Sequence, residues 1–431
     1  MLAGLSRRQL IAQLLSAGAA VAAPPKAPVF VPVDSGFTPD EDRFLNDLEY
    51  ANFQFFKEQA GPLTGLVRDR VNVRKPQQNN ILASIAATGF GLTAMCIGQK
   101  RGFIPYSDAR DRVATALRSL ANWQPNHRGF FFHWANIDTG ERILDSEVSS
   151  VDTAILLCGV LTCKAHFQDA EISRFATQIF DRVEWTWLSE DTPLLPHGWT
   201  PEFGFLPYHW DLYSELMMMY LLGLGSSSHP LPEETWNVWK RTTFEFDSIR
   251  YIGSFGPLFV HQYSQAWFDF RKKRDKYANY FENSALATDV HRRFCLDLAK
   301  RFPDYSNDLW GITASDSETG YQVWGGPPLT GPIDGTVATA AAAGSIPFQP
   351  KMCLRVMKTI KDRYGDRTWC RYGFINAFNP VKNWYDTDVI GIDTGITMLM
   401  AENARTGFVW ETFMKNPEAV RGMERAGFKP A

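Results

Sequence analysis

The chain is poor in the residue patterns that mark metal, nucleotide or nucleic-acid chemistry. Its eight histidines contain no His-x-x-x-His pair, and its six cysteines contain no Cys-x-x-Cys, so no zinc spacing is present. No acidic loop matches a calcium hand. No Gly-x-Gly-x-x-Gly follows a strand, and no Gly-x-x-x-x-Gly-Lys-Ser/Thr run exists. A Gly-x-Ser-x-Gly elbow is also absent. With 44 Lys and Arg against 47 Asp and Glu, the net charge of −3 provides no basic field for nucleic acid. These gaps predict no metal, no cofactor and no nucleic-acid partner. Past the N-terminus, no stretch is read as free enough of polar residues to span a membrane stably.

What is present is apolar and aromatic. Hydrophobic residues make up 45% of the 431 positions and aromatics 14%, with 14 Trp and 31 Phe. That composition favours a large core together with stacking surfaces. At the start, Ser6-Arg7-Arg8-Gln9-Leu10-Ile11 precedes an apolar run, Leu14 to Val21, and a small-residue stretch at Ala20-Val21-Ala22. This pattern is read as an export signal over 1–23, of the twin-arginine type, and predicts a periplasmic or secreted protein. A Pro-rich arm follows over 24–40, and 41–431 reads as one domain.

Helical periodicity dominates that domain. Helices are predicted over 42–56, 81–97, 109–123, 148–165, 170–188, 212–224, 258–271, 283–301, 337–343, 349–364 and 392–406, with two short ones at 408–414 and 417–426. Several are apolar all round and others on one face only, as expected for two concentric helical layers. Strand evidence is confined to a hairpin, Phe130 to Trp134 with Glu141 to Leu144, turning at Asp138-Thr139-Gly140. The predicted class is all-α, an (α/α)6 toroid with long loops and one small hairpin. The cysteines fall mostly in apolar helical patterns and read as buried free thiols, with one bridge left open.

The loops carry the chemistry. Asp145 to Asp152, Pro196 to Glu215, Tyr280 to Ser284, Trp310 to Gly326 and Asn383 to Asp388 interleave carboxylates with Trp, Tyr and His. Aromatic faces stack on sugar rings, and a pair of carboxyls can cleave a glycosidic bond. Glu215 is the first candidate for the acid: it lies just inside an apolar helix, where burial raises a carboxyl pKa. Asp211 reads as that helix's N-cap. Asp145 has no structural role in sequence, whereas Asp152 fits a capping box with Ser149. Both remain candidates to orient or deprotonate water. Substrate contacts are assigned to His197, Trp199, Glu202, Trp210, Tyr213, Glu282, Trp310, Asp316, Trp324 and Trp384. For any single Trp the competing role is to plug the core, and for Asp316 helix capping.

Several motifs occur together in one order. Leu66-Val67-Arg68-Asp69-Arg70, Ser84 to Leu92, Ser149 to Ala154, Trp310 to Asp316, Gly331-Pro332-Ile333-Asp334-Gly335-Thr336 and Asn383 to Gly395 resemble the glucoamylase-like proteins. That group overlaps glycoside hydrolase family 144 and is similar to the corresponding domain of cyclic β-1,2-glucan synthases. The resemblance covers nearly everything from Asp42 onward. It implies an (α/α)6 barrel with a central cleft, and action on β-1,2-glucan or its oligosaccharides by an inverting route. It also implies catalytic acids in the Asp145 to Asp152 segment and at Glu215. The expectation is therefore a glycoside hydrolase whose partner is an oligosaccharide or polysaccharide. The rivals are a transglycosylase, a hydrolase or lyase for another glycan, and a sugar-binding protein without turnover.

Overall fold

The computed structural model describes residues 36–431 except 76, 78–79, 191, 255–256 and 328–330. The predicted export segment and most of the Pro-rich arm lie outside the described residues. The first helix, Pro39–Glu58, starts on a capping box: Thr38 Oγ1 accepts from the Glu41 amide, and the Glu41 carboxylate accepts from the Thr38 amide.

Helices with two kinds of surface follow. Ile85–Lys100, Ser150–Phe167, Met217–Gly225 and Gly391–Thr406 are enclosed over most of their length. Tyr106–Asn122, Ala170–Asp181, Pro350–Tyr364 and Pro417–Arg425 bury one face and expose the other. Ser150–Phe167 is long and apolar enough to cross a membrane, but it is mostly buried among other elements, as a core helix is. It packs against Ile85–Lys100 at backbone distance. A Cβ on Gly89 would lie 2.4 Å from the Ile155 carbonyl oxygen, and one on Gly159 would lie 2.2 Å from that of Gly89. Glycine at both positions is what allows the approach. All six cysteines are buried and free, with Cys96 Sγ 3.6 Å from Cys163 Sγ.

Charge is also buried. Arg405, fully enclosed, reaches Asp42 and Glu49 at 2.6 Å each, tying Gly391–Thr406 to Pro39–Glu58. Such a cluster is stable only while every member keeps its partner.

The all-α expectation is corrected to a mostly helical fold carrying eight small sheets of two or three strands among the described residues. Four of their strands run directly into helices: Leu82–Ser84 into Ile85–Lys100, Val148–Ser149 into Ser150–Phe167, Val337–Ala338 into Thr339–Ala343, and Asp388–Ile390 into Gly391–Thr406. Each pairs antiparallel with a distant segment, for example Asp388–Ile390 with Arg70–Asn72. The predicted hairpin is present but shorter: 134–136 and 141–143 pair antiparallel about the turn, with Asn136 N–H donating to the Glu141 carbonyl at 2.8 Å and Ile143 N–H to that of Trp134 at 3.3 Å, while the other edge of Trp134–Asn136 pairs with Leu82–Ser84.

Other helix predictions differ as well, and the 258–271 helix becomes a 3-10 turn, Leu258–His261, followed by the short helix Tyr263–Trp267. The 170–188 helix divides into Ala170–Asp181 and Trp185–Leu188. The 212–224 helix begins only at Met217, because 211–213 pairs with Lys240: Lys240 N–H donates to Asp211 O and Tyr213 N–H to Lys240 O. Asp211 is therefore not a helix cap.

Candidate active site

Three of the strand-to-helix steps end at one cavity of about 200 Å³. Its wall takes Ser84 and Ala86 from the first, Val151, Asp152 and Ile155 from the second, and Ile390, Ile392 and Asp393 from the third. Asp69, Arg70, His133, Trp134, Glu215, Phe259, Tyr263, Ala314 and Tyr321 complete it. Carboxyls thus face a small hollow with indole, phenol and aliphatic walls.

Glu215 sits on the irregular segment just before Met217–Gly225. Ser264 Oγ donates to its backbone carbonyl at 2.8 Å and fixes the chain there. No cation pairs with its carboxyl among the described residues. Burial raises its pKa from 4.5 to about 7, its own backbone amide lowers it, and the nearby Asp152 raises it further.

Asp152 has two duties at the start of Ser150–Phe167. Ser149 Oγ accepts from its amide at 3.2 Å, which is a helix cap, and donates to Asp152 Oδ2 at 2.7 Å. The side chain also lines the cavity. Beside it, His133 Nδ1 lies 2.9 Å from Glu147 Oε1, and Nε2 lies 3.5 Å from Asp152 Oδ2. These three ligand-type groups lie within 4.8 Å of one another, the one such grouping among the described residues.

Asp393 enters from the third helix. Burial pushes its pKa from 3.8 to about 7, against the lowering effect of Asn376, whose Nδ2 donates to Asp393 Oδ2 at 2.5 Å. Tyr263 lies within the influence of Asp393, Glu215 and Asp152 together; burial, followed by these acids, raises its pKa well above the usual phenol range. Next to them Arg70 pairs with Asp316 at 2.6 Å, Asp69 at 3.1 Å and Asp388 at 3.6 Å. Burial disfavours the guanidinium charge, but Asp316, Asp69 and Asp388 outweigh burial and raise its pKa.

Of the residues expected to carry chemistry, Glu215 and Asp152 share this cavity, and Asp316 touches it through Arg70. The others lie elsewhere. Asp145 is exposed on a turn with φ +47°, outside the cavity wall, so the unexplained acid of the sequence is a surface residue. Glu202 is exposed and held by Arg142 at 2.7 and 3.0 Å. Glu282 is exposed in the first turn of Tyr280–Leu298. Tyr213 is fully buried, its hydroxyl 3.1 Å from His261 Nδ1. Trp310 is fully buried in the core, and Trp324 is buried with Nε1 donating to Ser315 Oγ at 2.9 Å. None of these three offers a face to a sugar. Trp199 stacks on His127 at 4.0 Å, His197 stacks on Trp210 at 4.1 Å, and Trp384 is half-buried in a short strand. None of these four lines the cavity.

The aromatic wall is instead Trp134, Phe259, Tyr263 and Tyr321, and the acid missed in sequence is Asp393. Asp393, Asp69 and Arg70 all fall in the segments that carry the family resemblance, which was the available signal. A larger and more open hollow of about 690 Å³ lies between Glu233, Arg274, Arg425 and Lys429. The chemistry is assigned to the smaller one, where two carboxyls of raised pKa face an enclosed space.

The Glycoamylase family model ("Putative glucoamylase") matches residues 207–417. The exo β-1,2-glucooligosaccharide sophorohydrolase (non-reducing end) of Parabacteroides distasonis is 27% identical over 424 residues, covering 89% of this chain and 58% of that protein. The chain thus spans little more than half the length of that relative. An endo-β-1,2-glucanase from Chitinophaga pinensis, solved in complex with sophorotriose and glucose, superposes with a TM-score of 0.85 at 26% identity, covering 90% of this chain and 98% of its own. A β-1,2-glucanase from Parabacteroides distasonis superposes with a TM-score of 0.84 at 25% identity, covering 91% of this chain and 60% of its own.

Proposed function

We propose that this chain, which belongs to the glucoamylase-like family and has β-1,2-glucanases among its structural neighbours, is a glycoside hydrolase acting on β-1,2-glucan or its oligosaccharides. The observation that carries the reading is Glu215: a carboxyl with its pKa raised to about 7, facing the same hollow as Asp152 and Asp393. A general acid must hold its proton at working pH, and this environment provides that.

In the reaction, Glu215 gives its proton to the departing glycosidic oxygen, directly or through a substrate hydroxyl. Asp393 takes a proton from water. The water oxygen bonds to the anomeric carbon as the carbon–oxygen bond to the leaving sugar breaks, inverting the configuration. Asp393 suits the base because Asn376 fixes one of its oxygens and leaves the other for water. Burial, aided by the nearby Asp152, raises the pKa of Glu215, and the half-buried Trp134 supplies a ring face for the sugar. In the same reading, the alternation of enclosed and one-faced helices supports an (α/α)6 toroid around this hollow. The Ser6 to Ile11 segment supports export by the twin-arginine route to the periplasm or beyond, which cell fractionation tests.

The enzymatic test is sugar release from linear β-1,2-glucan by the wild type and by Glu215→Gln. A loss of about 10³-fold or more is expected on removing the acid, within the range proton transfer contributes. NMR of the first product is expected to show the α-anomer. Full activity in Glu215→Gln removes Glu215 from the acid role, and an unsaturated product absorbing in the ultraviolet moves the protein to the lyases.

A further inference from the structure

We infer that His133 is a positioning residue for this site: its ring sits between Glu147 and Asp152 as a charged bridge, and so biases which oxygen of Asp152 faces the cavity. The inference rests on the role given to Asp152 above and deepens it. Each ring nitrogen of His133 faces a carboxylate oxygen, Nδ1 at 2.9 Å from Glu147 and Nε2 at 3.5 Å from Asp152. A neutral imidazole carries one N–H and no charge, whereas the doubly protonated ring is attracted to both carboxylates at these distances. The ring lies flat against Trp134, 3.9 Å between centroids at 16°, where an aromatic face favours a cation.

The backbone reinforces the link, since His133 N–H donates to the Glu147 carbonyl at 2.8 Å. Asp152 Oδ2 accepts from the Ser149 hydroxyl and is the oxygen nearer the imidazole, so Oδ1 is the oxygen left to act on Glu215 and on a sugar hydroxyl. The other charged groups on this wall are Glu215 on the segment before Met217–Gly225, Asp69 and Arg70 beside the Arg70–Asn72 strand, and Asp393 on Gly391–Thr406. Among them Arg70 is engaged by Asp316, Asp69 and Asp388.

The first test is ¹⁵N NMR of the histidine-labelled full chain at pH 7, with the His133 signals identified by their loss in His133→Asn. Both ring nitrogens are expected to carry protons; a single neutral tautomer overturns the inference. The second test is kinetic. His133→Asn is expected to lower kcat by about 10- to 100-fold with KM changed less than about threefold, the size of effect a misplaced catalytic group produces. In an Asp152→Asn background the same substitution is expected to add almost nothing, because both act through one carboxylate. Full additivity, or a change in KM alone, overturns it. Should His133→Asn fail to fold, Glu147→Gln repeats the kinetic comparison on the other arm of the bridge.

Loss of activity in chelator, restored by one divalent metal, also overturns the inference, because the three groups would then be ligands. If the wild type leaves β-1,2-glucan intact, the functional reading fails, while the NMR state of His133 still decides the bridge.

Discussion

Replacing Glu215 by Gln should make the protein more stable, and only at high pH. Burial holds the Glu215 carboxyl at about 7 in the folded chain against 4.5 for an ordinary glutamate. That difference of about 2.5 pH units corresponds to roughly 3 kcal/mol. The folded state binds the proton more tightly than the unfolded state, so stability contributed by this group is lost as pH rises. The loss begins near 4.5, where the unfolded carboxyl starts to ionise, and is complete above about 7. Gln, neutral and of similar shape, escapes it. The two proteins should unfold alike at pH 4.5, and Glu215→Gln should be the more stable by about 3 kcal/mol at pH 8.5. Urea unfolding followed by tryptophan fluorescence at the two pH values measures the gap. A gap that is the same at both pH values would refute the claim that Glu215 is desolvated.

The wild-type rate should follow a bell centred near pH 7, because Asp393 must ionise while Glu215 keeps its proton, and both sit at about 7; a plateau through pH 9 would contradict this. Asp393→Asn should cost about 10³-fold in kcat, whereas Asp145→Asn, on the exposed turn, should leave product release unchanged. Arg405→Met should destabilise by about 3–5 kcal/mol, since it removes the buried cation that pairs with Asp42 and Glu49; chemical denaturation reads this directly. Gly89→Ala should cost at least about 1–3 kcal/mol, as a methyl there meets the Ile155 carbonyl and neither helix can retreat cheaply. A wild-type melting temperature in that variant would show the helix crossing to be looser than drawn.

Much of the helical framework was legible because amphipathic and all-apolar runs have a period. The 349–364 prediction meets Pro350–Tyr364, and 392–406 meets Gly391–Thr406. The failures have a common physical origin in tertiary pairing. Apolar residues continue from Leu212 into Met217–Gly225, yet hydrogen bonds to Lys240 take 211–213 away from the helix. Strands of two or three residues, such as Val148–Ser149, are too short to show any alternation. The site was half legible. Glu215 stood out as an acid in apolar surroundings, and Asp152 as one with a structural role already. Asp393 was not singled out, because Glu215 and Asp152, whose cavity it shares, lie far away in sequence. The tryptophans misled for a different reason: an indole buries large area, and Trp310 and Trp324 do so inside the protein.

The strand-to-helix entrances at 84–85, 149–150 and 390–391 have an electrical consequence. Three backbone dipoles point their positive ends at one hollow, each favouring a nearby anion by roughly 0.3–1 kcal/mol. The main chain, together with Arg70, therefore offsets the mutual repulsion of Asp69, Asp152, Glu215 and Asp393. Unwinding the first turn at any of these three places would alter the ionisation of side chains that the change never touches.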